Sequence, residues 1–312
     1  MDCYKIVLRL AAPSLTPWQA DTIFGHLCWA LAHTEGDDFL DNFLGLYGLG
    51  EPPLVVSNGF PGELLPRPLL AAPPAARAAG PAAYRAGQAL RAAAWLTPEE
   101  FERARGGEAF LPEPRQPFAT RVSLHNRLSR LTGTTGATGS LYQLVETTLA
   151  PEFAGTVNIY ALVDPGFVAC LRRCLAYLEA TGYGKRKSAG FGALAAVELQ
   201  PWAGFPPLPG ANGFVALSHF VPAAGDPARG AWRTLVKRGR LGEEFAALAN
   251  PFKRPLLMLQ AGACFYDAPV RPFYGRLVSG VHPGLPQVVQ YGLTLAAEAR
   301  LPEPAGEEPG RG

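Results

Sequence analysis

The sequence predicts an α+β fold with a ferredoxin-like first domain, broken by a long insertion, and a second strand-rich unit. Three observations carry that expectation. A strand with period-two alternation opens the chain and a helix follows it. A strand, helix, loop and strand series ends near residue 199, and a Pro- and Gly-rich stretch then precedes another set of short apolar runs. At 312 residues, 48% hydrophobic and 17% charged, the chain can bury the cores of two ordinary domains, and it is neither disordered nor fibrous. The 35 Gly and 31 Pro follow no fixed period, so they point to many loops and not to a collagen helix.

Taken in order, Tyr4, Ile6, Leu8 and Leu10 alternate with Lys5 and Arg9, the pattern of a strand with one buried face. After the Pro13 to Pro17 turn, Asp21 is placed to cap a helix. Its Ile23, Phe24, Leu27, Cys28 and Leu31 share one side, and it ends near Gly36. Pro and Gly punctuate the stretch from Gly48 to Pro74. The Ala/Arg-rich segment 75–94 fits either a helix or a mobile insertion.

Residues 153–163 read as a strand and 165–181 as a helix with Phe167, Cys170, Leu171, Cys174, Leu175 and Leu178 on one side. A glycine-rich loop, 182–192, leads into a last strand, 191–199. With its middle strands inside an insertion of about 48–150, this is a βαββαβ unit occupying 1–200. Residues 201–213 read as a linker, 214–300 as the second domain and 301–312 as a flexible polar tail.

A net charge of +2 excludes a histone-like basic protein, but the charge is unevenly spread. Residues 1–120 carry 9 basic and 13 acidic side chains, and residues 121–312 carry 19 and 13, so an anion-facing surface is expected after residue 120. Cys3, Cys28, Cys170, Cys174 and Cys264 are odd in number and lack metal-ligand spacing. No signal-type run opens the chain, and the apolar stretch Pro255 to Tyr266 is too short to span a bilayer. A cytoplasmic chain with reduced thiols, no membrane contact, no metal and no cofactor is expected.

Two runs carry chemistry. In Gly182-Tyr-Gly-Lys-Arg-Lys-Ser-Ala-Gly-Phe-Gly192, glycines free the backbone to approach a ligand while Lys185, Arg186 and Lys187 neutralise phosphate. The order helix, loop, strand and the absence of Gly-Lys-Ser/Thr exclude a mononucleotide P-loop. The second run, Arg121 to Gly133, places Arg121, His125, Asn126, Arg127 and Arg130 within ten residues without an acid. Arg and Asn suit phosphates and base edges, and His suits stacking or a 2′-hydroxyl. Tyr183 and Phe191 flank the basic loop and suit base stacking, Phe191 being equally a core residue at a strand start. A solvated hairpin tip and a solvated linker are the plain alternatives for the two runs. No catalytic set assembles: His26 and His33 lie near one face of the first helix without a partner nucleophile or paired carboxylate.

Several of these residues together resemble a known family. Asp21-Thr-Ile-Phe-Gly25 with His-Leu-Cys-Trp-Ala after it, Ser57-Asn-Gly-Phe-Pro61, Leu65-Pro-Arg-Pro68, His125-Asn-Arg-Leu-Ser-Arg130, the glycine-rich loop and Tyr291-Gly292 stand in the order found in the crRNA 5′-handle-binding subunit of type III-A CRISPR effector (Csm) complexes, within the RAMP superfamily. The likeness covers nearly the whole chain. It implies two RRM-like RAMP domains, a thumb-like insertion in the first, and an RNA-binding role without catalysis in antiviral defence. The implied partners are the 5′ handle of the crRNA, the large polymerase-cyclase subunit, the backbone RAMP subunit and, indirectly, target RNA. The implied RNA contacts are His125, Asn126, Arg127 and Arg130 in the thumb and Lys185, Arg186, Lys187 and Ser188 in the loop. A sister subunit of another type III or type I complex and a repeat-cleaving endoribonuclease using His26 or His125 as base remain the alternatives.

Overall fold

A computed structural model describes residues 1–70, 80–135, 141–153 and 155–302 of the protein. The opening alternation forms strand β1, Asp2–Leu10, whose Ile6 and Leu8 are fully buried while Arg9 is exposed. β1 pairs antiparallel with β7, Thr156–Val163, and with β8, Leu194–Pro201, which sets Ile6 opposite both Ile159 and Leu199. With β2, Leu54–Pro61, at the far edge, the sheet order is β2-β7-β1-β8. Directly paired residues share a face, so Ile6, Leu8, Val157 and Ile159 line one buried side.

Helix α1, Ala20–Glu35, buries Ile23, Phe24, Leu27 and Leu31 and stops at Gly36, whose φ of 92° suits glycine. Asp21 is not its cap. Gln19 takes that position in extended backbone, because the amides of Thr22 and Ile23 already run back to the Gln19 carbonyl. Asp21 lies instead in the first turn, where its carboxylate meets the positive end of the helix dipole. A helix that the sequence reading left out, α2, Asp37–Gly48, follows at once and buries only Phe43 and Tyr47. Helix α5, Val168–Thr181, buries Leu171, Cys174, Leu175 and Leu178 and packs beside α1. Burial pushes the Cys170 and Cys174 thiols up, as core residues require. No group of three His, Cys, Asp or Glu among the described residues is placed to hold a metal.

The chain divides into two units, one of 1–54, 59–63 and 116–202, the other of 55–58, 64–115 and 203–312. The span 48–150, expected as one insertion, is therefore divided between them. Arg105 shows why 64–115 joins the C-terminal part. It ends helix α4, Pro98–Arg105, with 1% of its surface exposed, and its guanidinium donates to the Pro206 and Glu298 carbonyls and pairs with Glu102. A guanidinium buried this deeply has to be saturated with acceptors, and two of its three partners come from beyond residue 200.

In that second unit β3, Leu65–Pro66, pairs with β4, Trp95–Leu96, and helix α3, Pro81–Ala92, lies between them in the chain. The residues 71–79 lie outside the described ones, so only the later part of the Ala/Arg-rich segment is seen, as helix. Strands β9 (Gly213–Ala216), β10 (Gly230–Ala231), β13 (Cys264–Tyr266), β14 (Phe273–Gly275) and β15 (Leu293–Ala299) form a sheet in the order β10-β13-β9-β15-β14. Strands β11, Thr234–Lys237, and β12, Leu256–Leu259, pair separately. Phe214 and Tyr274 stack at 3.8 Å in the core that Phe220 and Phe265 complete. Tyr291 is 1% exposed, and its hydroxyl accepts the Val56 amide at 2.8 Å and donates to the Val56 carbonyl at 3.2 Å. The tail from residue 303 lies outside the described residues.

Candidate nucleic-acid interface

Within the first unit the chain after α5 makes a tight loop whose glycines are required by geometry. Gly182, Gly184, Gly190 and Gly192 have φ of 77°, 82°, 86° and 67°. A Cβ on Gly192 would stand 1.8 Å from the Tyr183 carbonyl oxygen, and one on Gly184 2.7 Å from Thr16. The loop closes on itself through the Tyr183 amide, which donates to the Gly192 carbonyl at 2.8 Å.

Its base is anchored to the start of α1. The Tyr183 ring stacks on Trp18 at 3.9 Å and its hydroxyl donates to the Pro17 carbonyl at 2.7 Å. Burial pushes that phenol well above its usual value, so it stays a donor. The Gly184 amide donates to His26 Nε2 at 2.9 Å, and the Lys185 amide to Thr16 Oγ1 at 3.0 Å. His26 is thus occupied as a loop anchor. His26→Ala is expected to leave the Gly184 amide without its acceptor, to cost about 1 kcal/mol of stability, and to weaken RNA binding without changing its salt dependence. Thermal unfolding and a binding titration at two salt concentrations check this; full RNA affinity in the variant would show that the anchor is dispensable.

Beyond these anchors the cations project. Lys185, Arg186 and Ser188 are exposed and Lys187 is half-buried, with Arg186 in left-handed backbone at φ 59°. The second basic run forms strand β5, Phe118–Asn126, paired with β6, Leu141–Leu149, so that Arg121 faces Glu146, Ser123 faces Leu144 and His125 faces Tyr142. These six share one face of the hairpin.

That face meets the glycine loop. The Arg186 guanidinium lies 4.7 Å over the Tyr142 ring and donates to the Tyr142 hydroxyl at 3.1 Å. His125 stacks parallel on Tyr142 at 5.7 Å and sets its edge against Phe191 at 6.3 Å. Ser123 Oγ gives its one proton to the Glu146 carboxylate and lies 2.9 Å from His125 Nε2. His125 Nε2 therefore donates to Ser123, and in the neutral ring Nδ1 is left as an acceptor. Serine bridges carboxylate and histidine here, so the trio is not the nucleophile, base and orienting acid of a hydrolase.

His125, Arg186 and Phe191 are thus brought together around Tyr142, with Lys185, Lys187 and Ser188 on the same loop, and Arg121 lies further along the His125 face of the hairpin. The other predicted residues are not. Asn126 points to the opposite side from His125, and Arg127 and Arg130, both exposed, lie beyond the strand toward the hairpin tip. Tyr142, Ser123 and Glu146 escaped the sequence reading. Tyr142, Leu144 and Glu146 alternate with exposed Leu141, Gln143 and Val145 along β6, but only the register assigns them to the His125 face.

The same pairing of glycine loop and hairpin sits in a fold already seen in solved structures. Over 97% of its length the chain aligns with the whole of a chain from a Csm1–Csm4 cassette in complex with cA4, at 20% identity and TM-score 0.66. Over 95% it aligns with 99% of a chain from a Csm3–Csm4 subcomplex of the type III-A CRISPR-Cas interference complex, at 13% identity and TM-score 0.63. The component common to the two complexes is Csm4. The fold is Csm4-like. No protein-family model and no curated protein matches the sequence. In this Csm4-like fold no helix of the described residues is long and apolar enough to cross a membrane.

Proposed function

We propose that this chain is a non-catalytic RNA-binding subunit of a type III-A CRISPR effector ribonucleoprotein, holding the 5′ handle of the crRNA. The observation that carries the reading is the joining of the glycine loop to the β5–β6 face. Three loop cations, an aromatic wall of Tyr142, His125 and Phe191, and Arg121 make a surface suited to backbone phosphates and unstacked bases. Lys185, Arg186, Lys187 and Arg121 take phosphates, Ser188 and the His125 Nδ1 take 2′-hydroxyls, and Arg127 and Arg130 extend the track toward the tip of the thumb hairpin.

The strand order β2-β7-β1-β8, with α1 after the first strand and α5 before the last, supports a ferredoxin-like RAMP domain. A second RRM-like domain follows in the same reading. The Csm1–Csm4 and Csm3–Csm4 complexes support docking on a large polymerase-cyclase subunit and on a backbone RAMP subunit, with target RNA reached only through the guide.

Binding without cutting is expected because His26 Nε2 is held by the Gly184 amide and the ring proton of the neutral His125 is given to Ser123, so its Nδ1 can accept from a 2′-hydroxyl while that ring offers no proton to a leaving 5′-oxygen. Incubated with repeat RNA, with or without divalent metal, the purified protein should leave it intact. Cleavage lost in His26→Ala or His125→Ala would establish the endoribonuclease alternative. Copurification from the native host, with sequencing of the bound RNA, tests the handle assignment: guide RNAs sharing a repeat-derived 5′ end are expected, and unrelated RNA would overturn it.

A further inference from the structure

The C-terminal unit carries a second cationic surface that the glycine loop does not use. Between Arg229 and Arg254 the chain holds seven cations and two carboxylates. From Thr234 to Arg240 exposure alternates strictly: Thr234, Val236, Arg238 and Arg240 are exposed, and Leu235, Lys237 and Gly239 are half-buried. Thr234 and Val236 share one face of the β11–β12 hairpin, and the same alternation of exposure carries on past the end of β11 through Arg238 and Arg240.

Two neighbours complete that face. Leu257 pairs with Val236, and Phe252, 59% exposed, bridges to Arg240, whose guanidinium lies 5.9 Å over its ring. Trp232, two residues before Thr234, stacks on Phe265 at 5.3 Å yet remains 44% exposed. Among the described residues neither Arg238 nor Arg240 pairs with a carboxylate; Arg240 reaches only the Ala246 carbonyl, at 3.3 Å.

We infer that this hairpin face binds single-stranded RNA, with Arg238 and Arg240 on phosphates and Phe252, and Trp232 at the other end, offering rings to bases. Charge selects the occupant. Unpaired guanidinium groups beside exposed aromatic rings match a polyanion with π-faces, whereas a protein partner for Val236 and Leu257 would have to supply carboxylates to the same arginines. The inference rests on the chain being an RNA-binding subunit, but on different residues.

The test uses the full-length chain and a fluorescent single-stranded oligouridine, titrated at several salt concentrations, in wild type and in the Lys185→Ala, Arg186→Ala, Lys187→Ala background. In both, Arg238→Ala with Arg240→Ala should lower the log-log salt slope by about 1.4, at about 0.7 for each phosphate contact on a single strand. Phe252→Ala should weaken binding about tenfold with the slope kept, the scale of one lost base stack. The altered side chains are exposed, and unchanged thermal unfolding verifies that the variants fold. Photo-crosslinking with 4-thiouridine RNA should yield adducts at Trp232 or Phe252. Unchanged affinity and slope in these variants while the loop variant still loses affinity would overturn this inference and leave the proposed function standing. Unchanged RNA binding with lost retention of a partner subunit would make the face a protein interface and overturn it too. If the wild-type chain binds neither oligouridine nor guide RNA, the proposed function fails first.

Discussion

Gly192→Ala is expected to be the most damaging single substitution in the loop. The new Cβ would fall 1.8 Å from the Tyr183 carbonyl oxygen, at a φ of 67° that alanine resists. Left-handed backbone costs a non-glycine residue about 1–2 kcal/mol. Moving the Tyr183 carbonyl away also breaks the closure between the Tyr183 amide and the Gly192 carbonyl, another loss of about 1 kcal/mol. Together they should lower stability by about 3 kcal/mol and the unfolding midpoint of the unit by about 10 °C. Gly190→Ala is the control: its φ of 86° is equally unfavourable, yet nothing lies within 4 Å of the added atom. It should show the backbone cost alone. Equal midpoints for the two variants in thermal denaturation would mean that the loop does not depend on the close approach at Gly192.

Joint replacement of Lys185, Arg186 and Lys187 by alanine is expected to reduce the salt dependence of guide-RNA binding by up to about 2 on the log-log slope, since each lost single-strand phosphate contact removes about 0.7. Sequence preference should survive, because phosphate contacts carry none. Gly190→Val should do the reverse, weakening binding at every salt concentration with the slope nearly kept. It changes no charge, but a β-branched side chain at that φ forces the loop from its path. Arg186 differs from its neighbours in lying over Tyr142 as well as facing outward. Arg186→Lys should therefore keep the slope and still lose affinity, because an ammonium group cannot replace the planar stack. A triple variant with wild-type affinity and slope would make the loop a solvated surface feature.

The periodic elements were legible because their signals are local. The alternation in β1, the one-sided apolar pattern of α1 and α5, and the glycines bracketing 182–192 each follow from backbone geometry over a few residues. The same locality explains the misplaced cap. Asp21 looks like a cap by residue type, but the cap is Gln19 and the helix begins two residues earlier than a cap at Asp21 would place it. Helix α2 was legible on the same terms and was passed over: Phe39, Leu40, Phe43, Leu44 and Tyr47 recur at helical spacing behind Asp37 and Asp38, although only Phe43 and Tyr47 end up buried.

What the sequence alone determined was a chemical inventory: cations on a flexible glycine backbone, a second basic run with one histidine, and no spaced set for metal or acid-base chemistry. Which members of that inventory meet was decided only by tertiary structure. The β5–β6 register puts Tyr142 beside His125 and under Arg186, sends Asn126 to the opposite face, and gives Ser123 to Glu146. The buried Arg105 draws 64–115 into the C-terminal unit by the acceptors it needs from Pro206 and Glu298. Both depend on pairings between residues 17 to 193 positions apart, and no local pattern encodes a partner at that distance.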